Sequence, residues 1–265
     1  MGIVYRAKQD RVKRDVALKV IHPKLVAPKL VDRFLNEIST LGKLEHSNLV
    51  RIYDADLHIT DDRDRPGILF YTMQLVEGTP IHRYVRDEQL PIGGILELLI
   101  KICQAVHEAH EQRVIHRDLK PGNILVTSAG EPIILDFGLA ALAGELIGWE
   151  EQGISGLSGT PSYMAPEQYL GSAEEFGDGQ SIDVYALGVI AFELLDSEGR
   201  GAKVDKCLRK NPADRYWTVS GFAKALGRVL RRLSAEHQSV EAVWSPESGK
   251  AVPGTEWILE RKIGQ

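Results

Sequence analysis

The sequence predicts an α+β protein of two lobes, the first small and strand-rich with one main helix, the second larger and mostly helical. Period-two alternation dominates the first 77 residues, interrupted by one helical stretch. Repeats at three and four residues take over from about residue 92. Between them VEGTP (76–80) breaks both patterns, which sets lobes at 1–77 and 78–234 with the boundary near Glu77–Pro80.

The elements follow in order. IVYRA and DVALKVI alternate as strands around the polar turn KQDRVKR. KLVDRFLNEISTLGKL reads as a helix with Phe34, Ile38, Leu41 and Leu44 on one face. LVRIYDADLHI and GILFYTMQLV are two more strands, parted by the charged turn TDDRDRPG. Residues 92–113 form a long helix in which Leu96, Leu99, Ile100, Cys103, Val106 and His110 recur at helical spacing. ILVT and PIILD are short strands around SAGE, and Asp183 to Leu195 is an apolar helix. Residues 203–210 and 218–234 read as two further helices, 235–253 as a linker, and 254–265 as a strand.

Composition narrows the class. With 265 residues, 43% hydrophobic and 26% charged, the chain can bury a sizeable core. A net charge of -5 without a Lys/Arg cluster speaks against nucleic-acid binding. Cys103 and Cys207 lie in apolar helical patterns and read as buried thiols, which suits a reducing compartment. No run approaches the ~20 apolar residues of a membrane span, and the start is no signal peptide, so the cytoplasm is expected.

Reactive side chains concentrate in HRDLKPGNILV (116–126) and LDFG (135–138). A loop carrying Asp118, Lys120 and Asn123, beside Asp136 at a strand end, suits phosphoryl transfer. One carboxylate can orient an attacking hydroxyl, while another carboxylate and an amide oxygen hold Mg²⁺. Lys120 can offset charge on the transferred group. In VALKV, Lys19 sits mid-strand among apolar residues and needs a partner. Glu37, on the following helix, is the expected one, and the pair would aim the amine at the α- and β-phosphates.

These motifs, in this order, resemble the eukaryotic-type serine/threonine protein kinase family, particularly its bacterial branch. The resemblance implies a kinase-like bilobal fold, ATP and Mg²⁺ as cofactors, and protein substrates bearing Ser or Thr hydroxyls, the chain itself among them. By position it makes Asp118 the catalytic base, Lys120 its phosphate-contacting companion, Lys19 and Glu37 the phosphate anchor, and Asn123 and Asp136 the metal ligands. Gly2 falls in the glycine-rich loop. Val4, Ala17 and Leu125 sandwich the adenine, Met73 guards the back of the pocket, and Gln74 to Val76 form the hinge. GTPSYMAPE (159–167) resembles the end of an activation segment, with Glu167 paired to Arg215 and Asp183 bracing the catalytic loop. Lys120 and Thr160 point to Ser/Thr specificity. Arg117 suggests control by phosphorylation within 139–158, with Ser155 and Ser158 as candidates, while Thr160 is expected to bond Asp118.

Two departures stand out. Only Gly2 and Val4 remain of the glycine-rich loop, while WILERKIGQ (257–265) resembles the strand and glycine that precede it. Three readings stay open: a piece of a longer or tandem kinase, a circular permutant whose tail completes its own sheet, and a strand-swapped homodimer through 254–265. Second, FELLDSEGR runs almost directly into VDKCLRKNPADRY, without the turn and helix of relatives that help dock substrates. The alternative function is a catalytically impaired kinase-fold binding or scaffold module. A small-molecule kinase is disfavoured by GTPSYMAPE.

Overall fold

The computed structural model describes residues 3–21, 28–58, 68–137, 161–169, 179–196 and 204–243, with Glu37 described in its backbone only. The expectations for Gly2, Gly138, Gly159, Thr160, the segment 139–158 and the tail 254–265 lie outside the described residues.

Alternating side chains in the first part of the chain give a four-stranded antiparallel sheet. It contains β1 (Ile3–Gln9), β2 (Arg14–Val20), β3 (Ile52–His58) and β4 (Ile68–Gln74), in the order β1-β2-β4-β3. In β4, Leu69, Tyr71 and Met73 are buried while Phe70 and Thr72 between them are half-buried, the mark of a strand with one face on the core. Helix α1 (Pro28–Leu41) buries Phe34, Ile38 and Leu41 in the same core, and Leu44, just past its end, joins them. The edge strand β1 is different, with Ile3, Val4 and Tyr5 all at least half exposed.

The second sheet is small and antiparallel: β5 (Thr79–Pro80), β6 (Ile124–Val126) and β7 (Pro132–Ile134). Gly78 leads into it so closely that a Cβ there would lie 2.7 Å from the Val126 carbonyl oxygen, so only glycine fits. Around this sheet lie α2 (Ile81–Asp87), α3 (Ile92–Glu111), α4 (Pro166–Tyr169), α5 (Gln180–Asp196) and α6 (Val219–Val243). Helix α3 buries Leu99, Ile102, Cys103, Val106 and Ala109 almost completely, each large apolar side chain worth roughly 1.5–3 kcal/mol of burial. Helix α5 packs tightly at Gly188, where a Cβ would collide with the Cβ of Cys207. Both cysteines are buried free thiols, as composition suggests, and burial pushes the Cys207 thiol up to about 12.

Hydrogen bonds tie the lobes together. Val50 N–H donates to Ile134 O (2.9 Å), Ile134 N–H donates to Asn48 O (2.8 Å), and the Asn48 side-chain amide donates to Pro132 O (2.7 Å). One apolar cluster runs through both lobes.

Two expectations change. The helix expected over 203–210 is a pair of turns, Cys207 N–H to Val204 O and Leu208 N–H to Asp205 O. Just past these turns the Arg209 and Lys210 carbonyls accept from the Arg215 guanidinium (2.7 and 3.1 Å). Second, α6 runs to Val243, so the first part of the expected linker 235–253 is helical. Among the described residues no helix is long and apolar enough to cross a membrane.

Candidate active site

The loop 116–123 is held from below by one buried carboxylate. Asp183, on the first turn of α5, accepts three hydrogen bonds: from the His116 N–H (2.9 Å) and His110 Nε2 (2.7 Å) on Oδ2, and from the Arg117 N–H (2.9 Å) on Oδ1. Burial alone would raise the Asp183 pKa; the hydrogen bonds from His110 and the His116 backbone outweigh it and hold the carboxyl below the usual range. Arg117 has φ 64, a left-handed conformation unfavourable to a side chain of its size. It is kept there by its N–H on Asp183 and by its carbonyl, which accepts from the Gln168 amide of α4 (3.3 Å).

Above this brace, Asp118 is buried. Its N–H donates to His116 Nδ1 (3.2 Å), which puts the imidazole proton on Nε2, and Nε2 donates to Leu135 O (2.9 Å). Asp118 Oδ2 accepts from Lys120 Nζ (2.8 Å) and from the Asn123 amide nitrogen (3.3 Å), which also donates to Asp118 O (2.9 Å). The Asn123 NH₂ group thus bonds Asp118 inside the loop, and its Oδ1 is the side-chain atom with the chemistry to meet a cation. The 3₁₀ turn Pro121–Asn123 sets this geometry.

The second loop is joined to the first through main chain. Leu135 N–H donates to Asn123 O (2.8 Å), and Leu135 O accepts from His116. The next residue, Asp136, has φ 56, a conformation Asp tolerates better than most residues. Its Oδ1 accepts from Lys19 Nζ (2.8 Å) and from the Tyr71 hydroxyl (2.9 Å). Burial would raise this carboxyl too, but the Lys19 charge and the two hydrogen bonds hold it below the usual range. The Phe137 ring then packs on His116, with centroids 4.6 Å apart.

Among the described residues, then, Asp118, Lys120 and Asn123 meet within one loop, and Lys19 and Asp136 meet across the cleft. Ala17 and Met73 are cross-strand partners, buried side by side. Val4 pairs with Lys19 across β1 and β2 and is half exposed. Leu125, in β6, approaches the hinge where Gly78 passes it. Gln74 and Val76 flank the half-buried Leu75 in the hinge stretch, and the Gln74 N–H donates to Arg51 O (2.8 Å). Glu37 lies on α1. Glu167 and Arg215 form a buried bidentate pair at 2.6 and 2.8 Å.

Two residues of this network escape a motif search. Tyr71 sits on the buried face of β4 with Leu69 and Met73, where a phenol needs a partner, and that need is its sequence signal. His110 lies on the apolar face of α3, where an imidazole has the same need.

The oxygen donors of Asp136 and Asn123 suit a hard cation that would complete its shell with phosphate and water. The family described as "Protein kinase domain" matches residues 1–211. The serine/threonine-protein kinase Pkn1 of Myxococcus xanthus is 33% identical, over 98% of this chain and 40% of its own length. The DNA damage-responsive serine/threonine-protein kinase RqkA of Deinococcus radiodurans is 38% identical over 72% of this chain and 27% of its own. The probable serine/threonine-protein kinase PknB of Corynebacterium glutamicum is 29% identical over 93% of this chain and 43% of its own. The chain therefore spans less than half the length of these relatives. With the brace, the two loops and the Lys19–Asp136 pair in place, the chain belongs to the protein kinase family, in its bacterial serine/threonine branch.

Proposed function

We propose that the chain transfers the γ-phosphoryl group of ATP to serine or threonine hydroxyls of protein substrates. The observation that carries this reading is the joining of Asp118, Lys120 and Asn123 to Asp136 and Lys19 through the Leu135 backbone.

Each residue then has a task. Asp118 orients the hydroxyl and takes its proton as the new O–P bond forms and the bond to the β-phosphate oxygen breaks. Lys120, already on Asp118, offsets charge building on the transferred group. Lys19 reaches the α- and β-phosphates from β2, with Glu37 as its second partner from α1. Adenine lies between Ala17 and Val4 on one side and Leu125 on the other, with Met73 behind it. Gln74 and Val76 supply the hinge contacts, Gln74 through its carbonyl since its N–H is spent on Arg51. Gly2 supplies backbone to the phosphates. Asn123 and Asp136 would hold Mg²⁺, which supplies positive charge against the triphosphate. A cavity of about 220 Å³ lined by His82, Lys120, Pro121, Gly122, Tyr163 and Glu193 opens beside the catalytic loop and gives a peptide access to it.

The test is transfer of labelled γ-phosphate from ATP-Mg²⁺ to the chain itself and to a generic basic protein. Asp118→Asn is expected to lose about 10²–10⁴-fold in rate while still binding ATP. A folded wild-type chain that neither binds ATP nor transfers phosphate would overturn the reading and leave a kinase-fold binding module.

A further inference from the structure

Asp136 hangs from a backbone that fixes its Cα but not the direction of its carboxylate. One donor on a carboxylate fixes an oxygen; two donors from different directions on the same oxygen fix the C–O bond. That is what the structure shows: Lys19 Nζ and the Tyr71 hydroxyl both bond Oδ1, at 2.8 and 2.9 Å. The two donors are paired by the sheet itself. Lys19 and Tyr71 are direct cross-strand partners in β2 and β4, so their side chains leave the same face of the sheet.

The two donors differ in constancy. In the reading above, the Lys19 ammonium is drawn toward the nucleotide phosphates, and a long flexible stem lets it move. Tyr71 is a stiff side chain, fully buried, with its ring against Phe34 of α1 at 6.3 Å between centroids. Its hydroxyl has Asp136 Oδ1 as acceptor at 2.9 Å, and a phenol carries one proton to donate.

We propose that Tyr71 is a positioning residue for the metal-binding carboxylate: its hydroxyl holds Asp136 Oδ1 when Lys19 turns to the nucleotide, and so presents Oδ2 to Mg²⁺. The inference rests on Asp136 being a metal ligand, and its test separates the two. The quantity to measure is the metal advantage, the Kd of a non-hydrolysable ATP analogue in EDTA divided by its Kd in Mg²⁺, by calorimetry on the full chain.

Wild type should show a metal advantage, and Asp136→Asn should abolish it. Tyr71→Phe should cut it about tenfold, the lower end of what a hydrogen bond to a charged group is worth, with affinity in EDTA unchanged. Tyr71→Met, which also lacks the donor but fills the space differently, should show the same cut and stands in if Tyr71→Phe does not fold. A Tyr71 variant with the full metal advantage overturns the inference while leaving Asp136 in its role. Equal weakening with and without metal also overturns it, reducing Tyr71 to a wall of the pocket. No metal advantage in wild type, or a full one in Asp136→Asn, removes the ground beneath it by taking the metal from Asp136.

Discussion

Two arginine–carboxylate pairs of nearly equal length sit in the two lobes. Arg6–Asp15 in the β1–β2 hairpin closes at 2.8 Å, and Arg215–Glu167 in the large lobe at 2.6 and 2.8 Å. Their side chains are 64% and 47% exposed in the first case, 0% and 2% in the second. In water each Arg6–Asp15 partner has a ready substitute, whereas Glu167 and Arg215 are held by each other, with the Ser181 hydroxyl on Glu167 and nearby carbonyls on Arg215. Bond length does not set the worth of a pair; what stands ready to replace it does. The same contrast separates the two sides of the candidate site. Asp183 anchors the loop 116–123 through two bonds and ties it to His110 of α3 through a third, all in a dry interior, while Val4, on the proposed nucleotide side, stands on an exposed strand.

Breaking the buried pair should have the largest effect. Arg215→Ala leaves the Glu167 charge buried and unpaired, and should cost about 3–5 kcal/mol in urea denaturation. A variant that also carries Glu167→Gln should recover part of that loss, because the stranded charge is gone. No loss in Arg215→Ala would mean the interior is wetter than its burial indicates.

Asp183→Asn comes next. The amide keeps the shape but must turn its NH₂ toward donors, which should cost roughly 2–4 kcal/mol at neutral pH. The pH dependence sharpens this. The Asp183 pKa is below its ordinary value of 3.8, so at acidic pH the unfolded chain binds more protons than the folded one. Its contribution is complete above pH ~3.8 and is lost as pH falls through the lower folded value. Wild type should therefore lose stability steeply on acidification across that window, and Asp183→Asn less steeply. Denaturation curves at several pH values check this, and parallel slopes would contradict it. The smallest effect is reserved for the surface pair: Arg6→Ala should leave the thermal midpoint where it is, and a clear drop would show that the hairpin depends on that contact.

Much of this architecture was legible in the residues. Strands with strict alternation, such as β4, and helices with long apolar repeats, such as α3 and α5, announce themselves because the period is the burial pattern. So do Asp118, Asn123 and Asp136, whose spacing marks the two loops. The segment 203–210 misleads for a physical reason. Val204 and Cys207 are buried three residues apart, as in a helix, but the spacing serves turns pressed against Gly188. The Arg215 guanidinium also fixes the chain just beyond them through the Arg209 and Lys210 carbonyls, a contact that periodicity does not register. Helix α2 lacks a side-chain cap and is short, so little in the sequence marks its start. The positive φ of Arg117 and Asp136 was also hidden, since neither is glycine and each is held by partners distant in sequence. The bond from Tyr71 to Asp136 links residues 65 positions apart and follows only from the packed fold.

On the Leu135 side the joint between the two loops is made of peptide groups alone: its N–H goes to Asn123 O and its carbonyl takes the bond from the His116 imidazole. Every amino acid except proline carries that same donor and acceptor. A survey that swaps side chains one at a time would therefore see only packing at position 135 and pass over the joint. Only proline at position 135 would remove the N–H half of the joint.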